Sequence, residues 1–378
     1  MILFLYNNME VMKNMDLNNY LKNLETIVNI DSGSHNKKGI EEVISFLKEL
    51  YSGWHTKVYD SDNPVLVIKN REAKDIDYLF IGHIDTVFPE GEAKRRPFKI
   101  ENNIAKGPGV LDMKSGDLLI YENVKDLKDS NKNICVIHNS DEEIGSTYSK
   151  DIILEHGKKA KYIFVFEPAR ANGNMVSKRK GILRKTIEFI GKNAHAGVNP
   201  QDGIDANIEA CSWALELYKF HNIEEKNSLN VGIIKGGDGV NVVSSKCTID
   251  IEARSFDINF FNKIEEKIEY LSKNTFVKGI EVKIYSDKTV LPLTTNENTK
   301  KLMELYDSVK SELNVNASWE ETGGISDANT FGGLNIATVD GLGCIGNFMH
   351  SPDEFIEIDS IVERYNVTKK VLEKLMQE

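Results

Sequence analysis

Four places along the chain set acids or a histidine at the end of an apolar run or in a glycine-rich turn. His83 and Asp85 close DYLFIGHID, Asp141, Glu142 and Glu143 close ICVIHNSDEE, Glu167 closes KYIFVFEP just before Pro168, and Asp112 lies in GPGVLDMKSG. Imidazole and carboxylate are donors that hold zinc and neighbouring divalent ions. Taken singly, each has two readings. His83 is either a satisfied core histidine beside an N-cap aspartate, or a ligand whose tautomer is fixed by Asp85, two residues on and able to face the same side of a strand. The Asp-Glu-Glu run is either an acidic first turn stabilised by a helix dipole, or a set of carboxylates against a buried strand end, where charge is costly unless paired or metal-bound. The recurrence of one chemistry in four places favours a divalent-metal site.

The elements that must carry these residues follow from hydrophobic spacing. Residues 16–30 and 39–53 place apolar side chains at helical intervals. TKVYD, PVLVIKN, DYLFIGHID, ICVIHNSDEE and KYIFVFEP read as strands, the later ones nearly continuously apolar as in strands buried on both faces, and a helix is expected after Lys114. Alternating helices and strands imply an α/β core with a largely parallel or mixed central sheet flanked by helices, and acids distant in sequence can meet beyond the carboxyl ends of such strands. From about 182 the pattern becomes strand, helix, strand, strand, helix, strand, with helices near 204–219 and 261–271, which is the split βαβ order of a ferredoxin-like α+β domain over 182–290. A helix over 297–312, the strand NIATVDGLG and a helix over 359–377 return to the first core.

Other chemistries are disfavoured. GPGVLDMKSG lacks the ending of a phosphate-binding Walker loop, GGDGVN is not a dinucleotide-binding GxGxxG, and neither a GxSxG elbow nor an HExxH helix occurs. The 378 residues carry 47 basic and 58 acidic side chains, a net charge of −11, which argues against non-specific binding to nucleic acid or an anionic membrane. Cys135, Cys211, Cys247 and Cys344 are far apart and form no CxxC, so a reducing, cytoplasmic setting is expected. The N-terminal MILFLY makes a poor signal peptide, no apolar stretch is long enough to span a membrane, and Met9, Met12 and Met15 leave the start ambiguous.

GHIDTVFPEG, GPGVLDMKSG, NSDEEIGS, FEP, GKNAHAG, TGGISDAN and MHSPDE, in this order across about residues 16–377, together resemble the M20 metallopeptidase family, most of all its carboxypeptidase G2-like, glutamate carboxypeptidase type. The resemblance implies a two-metal catalytic domain, here 1–181 with 291–378, interrupted by a lid and dimerisation domain at 182–290. It implies two zinc ions per subunit, with cobalt or manganese as substitutes. His83 and Glu167 then complete one ion's site, Glu143 and His350 the other's, and Asp112 bridges both, with a cis peptide following at Met113. Asp85 orients His83, Glu142 is the general base, and His195 is the lid histidine that reaches an active site across a homodimer.

Asn241, Arg254, Gly323 and Gly324 are candidate substrate contacts, Asn241 through the resemblance. One departure matters: where the glutamate-specific type carries Arg-Pro near the return from the lid, this chain reads Leu291-Pro292. Leucine cannot replace a bidentate carboxylate clamp, although Arg254, Lys178 or Arg179 could supply charge. The expected function is a zinc-dependent carboxypeptidase or small-peptide hydrolase acting beside a free carboxylate. An N-acyl amino-acid deacylase using the same machinery is the nearest alternative, and a non-catalytic metal- or ligand-binding dimer the alternative of another class.

Overall fold

The structure, a computed structural model, describes residues 15–377. MILFLY, Met9 and Met12 lie outside the described residues. Among the described residues no helix is long and apolar enough to cross a membrane.

The chain divides into two compact units: one takes in the described residues up to Ser177, Thr295–Glu320 and those from Asn335, and the other takes in Lys178–Thr294 and Glu321–Leu334. These divisions lie four residues outside each expected edge of the insertion, and a later stretch is added. Hydrogen bonding explains both. Arg179 and Leu293 exchange backbone bonds of 3.1 Å, Lys180 N–H donates to the Thr322 carbonyl, and the Asn329 amide donates to the carbonyls of Lys180 and Leu291. TGGISDAN is thereby stitched to the two ends of the insertion.

The first unit is built on a six-stranded sheet in the order His55–Tyr59, Val65–Lys69, Ile134–Asn139, Ile76–His83, Ala160–Val165, Ala337–Val339. The first two pairings are antiparallel and the rest parallel, so the sheet is mixed. Leu79, Phe80, Ile81, Val136 and Ile137 are fully buried, as expected of strands covered on both faces. Helices Leu17–Val28, Lys37–Leu50, Ser115–Val124, Glu297–Glu312 and Ile358–Leu375 surround it, and the first two bury Tyr20, Leu24, Ile27 and Ile40, Val43, Ile44, Leu47. The second helix begins earlier than its spacing suggested because the Asn36 side chain accepts from Gly39 N–H and fixes the start.

The second unit carries a four-stranded antiparallel sheet in the order Ser228–Gly236, Lys246–Ser255, Gly181–Ile190, Glu281–Val290. Helices Ala206–Tyr218 and Ile258–Lys273 cover it, capped by the Asp205 and Asp257 side chains. The connectivity is the split βαβ arrangement, and Trp213, Phe189, Ile187 and Ile249 lie in a core of its own.

Candidate metal centre

The parallel strands of the first unit end together, and their polar termini converge. His83 is the last residue of Ile76–His83, Glu167 follows Ala160–Val165, and Glu143 lies in the short turn Glu142–Ile144 after Ile134–Asn139. Asp112 precedes helix Ser115–Val124, and the Asp112–Met113 peptide is cis. His350 enters from the loop before strand Phe355–Glu357, with φ 61°.

Two groups of three residues have the composition and spacing to hold a metal ion: His83, Asp112 and Glu167, and Asp112, Glu143 and His350. Asp112 belongs to both. Its Oδ1 lies 3.1 Å from His83 Nε2, and its Oδ2 lies 3.2 Å from His350 Nε2. His83 Nε2 is 3.8 Å from Glu167 Oε1, and His350 Nε2 is 3.2 Å from Glu143 Oε2. Donors about 2.0–2.2 Å from a tetrahedral zinc stand about 3.3–3.6 Å apart, so the spacing fits first-row divalent ions. The burial fits too. The side chains of Asp112, Glu143 and Glu167 are only 11%, 6% and 9% exposed, and three crowded carboxylates at such depth need cations to offset them.

The histidines respond to this field. Burial disfavours the His83 imidazolium, but hydrogen bonds with Asp112 and Asp85 outweigh it and raise the group well above 6.5. His350, half-exposed, is raised to about 10 by Asp112 and then Glu143. Burial alone would lift Asp112, yet His350 and His83 hold it below the usual carboxylate range, while desolvation keeps Glu143 raised.

Asp85 is the hub behind the donors. Its carbonyl oxygen is 3.1 Å from His83 Nδ1 and its Oδ1 3.3 Å, which assigns the Nδ1 proton there and leaves Nε2 facing Asp112 and Glu167. The same carboxylate accepts from the backbone N–H of Glu142 and of Glu143 at 3.2 Å, and from the Ser34 hydroxyl at 2.7 Å. One aspartate thus ties the His83 tautomer to the turn carrying Glu142 and Glu143. The ambiguous acidic run divides its labour: Asp141 is fully buried and accepts from the Tyr148 and Ser149 N–H groups, which shapes the loop, whereas Glu142 is partly exposed.

Sequence reasoning missed two residues. Ser34 steadies Asp85 from a segment, DSGSH, that carries no motif. Glu354, fully buried, accepts the N–H groups of Gly109, Leu111 and Asp112 at 3.1, 2.8 and 3.0 Å and so holds the loop presenting the shared aspartate. Its place in MHSPDE was visible, its task was not. Burial pushes its carboxyl up to about 7.

The remaining candidates belong to the second unit. Exposed His195 and Asn241 lie on adjacent loops, where Ala196 N–H donates to the Asn241 carbonyl and His195 bridges Val242. Arg254 pairs with Glu252 at 2.7 Å and donates to the Gly323 carbonyl at 2.8 Å. Lys178 pairs with Glu321, and Arg179 donates to the carbonyls of Gly324 and Ile325. Space beside Gly323 is open within 4 Å of where a Cβ would stand.

The chain is 29% identical over 367 residues to carboxypeptidase G2 of a Pseudomonas species, covering 93% of this chain and 88% of that protein. It is 28% identical over 292 residues to a succinyl-diaminopimelate desuccinylase of Aliarcobacter butzleri, covering 73% of this chain and 77% of the relative. Its fold is similar to that of an aminopeptidase from Bacillus cereus, with a TM-score of 0.77 at 21% identity over 96% of this chain and 99% of that one. A metallo-carboxypeptidase from Sulfolobus solfataricus superposes with a TM-score of 0.70 at 17% identity over 96% of this chain and 100% of that one. Residues 79–374 match the profile of peptidase family M20/M25/M40, and the chain is a hydrolase belonging to that metallopeptidase family.

Proposed function

We propose that the chain is a dinuclear zinc-dependent amide hydrolase that cleaves beside a free carboxylate, acting as a carboxypeptidase or small-peptide hydrolase. The observation that carries this reading is Asp112, whose two oxygens face His83 on one side and His350 on the other. His83, Asp112 and Glu167 would hold one ion, and Asp112, Glu143 and His350 the second. Bound there, two such ions would supply Lewis-acid chemistry, lowering the pKa of water and polarising a carbonyl. Cobalt or manganese suits the same donors.

The chain's own groups do the rest. Glu142 accepts the proton of the attacking water and returns it to the leaving nitrogen, a task for a carboxylate beside the donors rather than among them. Its main chain is fixed by Asp85, and its partial exposure lets it exchange protons with solvent. Dimerisation through the second unit is part of the proposal. Ile208, Leu215 and Tyr218 on one helix, and Ile233 and Ile234 on the edge strand Ser228–Gly236, are 51–71% exposed, an apolar surface suited to a second copy. In that dimer, as the family resemblance implies, His195 would reach the partner's active site and donate to the developing oxyanion.

A second reading, N-acyl amino-acid deacylase, is favoured by one observation. Leu291 stands where a glutamate clamp needs arginine, and Arg254, Lys178 and Arg179 are engaged by Glu252, Glu321 and loop carbonyls. The two readings separate on a panel of dipeptides beside N-acyl amino acids. Metal-stripped protein is expected to regain amidase activity with zinc or cobalt, and Glu142→Ala to retain metal while losing turnover. Full activity in Glu142→Ala would remove the proposed base, and absence of any amidase activity would remove the function.

A further inference from the structure

The first unit holds a second group of titratable side chains, away from the metal donors. A cavity of about 250 Å3 lies between the edge strand His55–Tyr59, its neighbour Val65–Lys69 and the end of helix Lys150–Gly157. The two-residue period of the edge strand sets His55, Lys57 and Tyr59 on one face. The antiparallel register puts Lys69 directly opposite His55 and Val67 opposite Lys57, and all five line the cavity. On its other side Lys69 faces Cys135, the second residue of Ile134–Asn139. Lys69 and His55 therefore sit at the far end of that strand from the turn that carries Glu143. The helix contributes His156, which is only 4% exposed. Its Nδ1 lies 2.8 Å from the Ile152 carbonyl, which assigns the Nδ1 proton there, and its Nε2 bonds no protein group among the described residues.

The charges around this cavity do not cancel. Lys57 stands over the Tyr59 ring, its Nζ 3.9 Å from the centroid, and pairs with no carboxylate among the described residues. Glu72, the one acid in the lining, is 75% exposed and 3.9 Å from Lys69, a weak pair in water. Glu155 is taken up by Lys159 at 2.8 Å, and the Leu154 and His156 carbonyls at the helix end accept from Lys158 and Lys159 N–H. Two ammoniums against one carboxylate leave an excess of positive charge before either histidine takes up a proton. The field reaches His156: burial lowers its pKa most, and Lys69 and Lys159 lower it further against the Ile152 hydrogen bond. A histidine and a lysine directly opposite one another repel when both are charged, and an anion between them removes that cost. The volume is below the roughly 300–1,000 Å3 of sites for larger molecules. Donors on two strands and a helix suit a tetrahedral group with several oxygens better than a planar carboxylate with two.

We propose that this cavity is a phosphate-binding site, separate from the metal centre, in which His55, Lys57, Lys69 and His156 hold inorganic phosphate or the phosphoryl end of a phosphomonoester. His156 Nε2 accepts the proton of a hydrogen phosphate, or donates to the dianion once the ring is protonated, and the same contact forms either way. The test follows the His156 ring resonances of the zinc-loaded full chain, labelled in histidine and assigned with His156→Gln. Inorganic phosphate, O-phosphoserine and succinate are titrated at neutral pH and constant ionic strength. This readout belongs to the cavity, so anion binding at the metal centre does not enter it. A saturable shift is expected with phosphate, its affinity reduced about tenfold or more in Lys57→Ala and in Lys69→Met, which remove one ammonium each and leave the core intact. O-Phosphoserine binding within about fivefold of phosphate marks a monoester site, and weaker binding marks a site for the free ion. Absence of a saturable shift, undiminished phosphate affinity in either variant, or succinate binding as tightly as phosphate overturns the proposal.

Discussion

Glu354→Ala probes how the shared aspartate is held. The native carboxylate is fully buried and accepts three backbone N–H groups, one of them from Asp112. Each buried donor left without an acceptor costs about 1–3 kcal/mol. Against this stands the relief of a carboxyl pushed up to about 7 from 4.5, which returns about 3 kcal/mol at neutral pH. The three donors together cost about 3–9 kcal/mol, so a net destabilisation centred at about 3 kcal/mol, within about 0–6 kcal/mol, follows for the metal-free protein. Glu354→Gln keeps one carbonyl acceptor where Leu111 and Asp112 converge and sheds the buried charge, so it should stay within about 1–2 kcal/mol of the parent. Losing the support behind a ligand should also weaken zinc binding in Glu354→Ala by about 10–100-fold. Denaturant midpoints and zinc competition against a chromophoric chelator read the two effects. A Glu354→Ala protein with the parent's midpoint and zinc affinity would refute the role given to Glu354.

Ser34→Ala removes a 2.7 Å hydrogen bond to buried Asp85, and a loss of about 1.5–3 kcal/mol in urea denaturation together with a fall in kcat is expected. Trp213→Phe takes one donor from fully buried Glu209, which also accepts from the Phe276 and Val277 N–H groups, and should cost about 1–3 kcal/mol in the same measurement. Burial holds His156 below its usual 6.5, so the unfolded chain takes up the proton first as the pH falls. Stability complete above pH 6.5 is therefore lost as the pH drops toward the folded value, and urea midpoints of His156→Gln should show a flatter fall across that window.

The sequence made legible the features that obey one local rule. Buried strands announced themselves by unbroken apolar runs, and the split βαβ order by alternating periods. His83, Asp112, Glu143 and Glu167, singled out by residue type and placement, and His350, named through the family resemblance, are brought together in two groups. Contacts between distant segments stayed hidden. Nothing near Ser34 signals that it bonds an aspartate 51 residues on, and nothing in MHSPDE shows Glu354 gathering amides some 242–245 positions earlier. Helix starts at Lys37, Ala206 and Ile258 were displaced from the apolar spacing because Asn36, Asp205 and Asp257 supply caps, a polar effect that hydrophobic periodicity does not register. TGGISDAN belongs to the second unit through backbone bonds that leave no trace in composition.

Sharing of Asp112 by two ions underlies the proposed function. It is tested most directly by counting zinc bound per chain, by calorimetry and elemental analysis, in the parent, Glu167→Gln and Asp112→Asn. Two equivalents are expected in the parent, one tight equivalent after Glu167→Gln, and loss of both tight sites after Asp112→Asn. A parent that binds a single ion, or an Asp112→Asn protein that still binds two tightly, would contradict it.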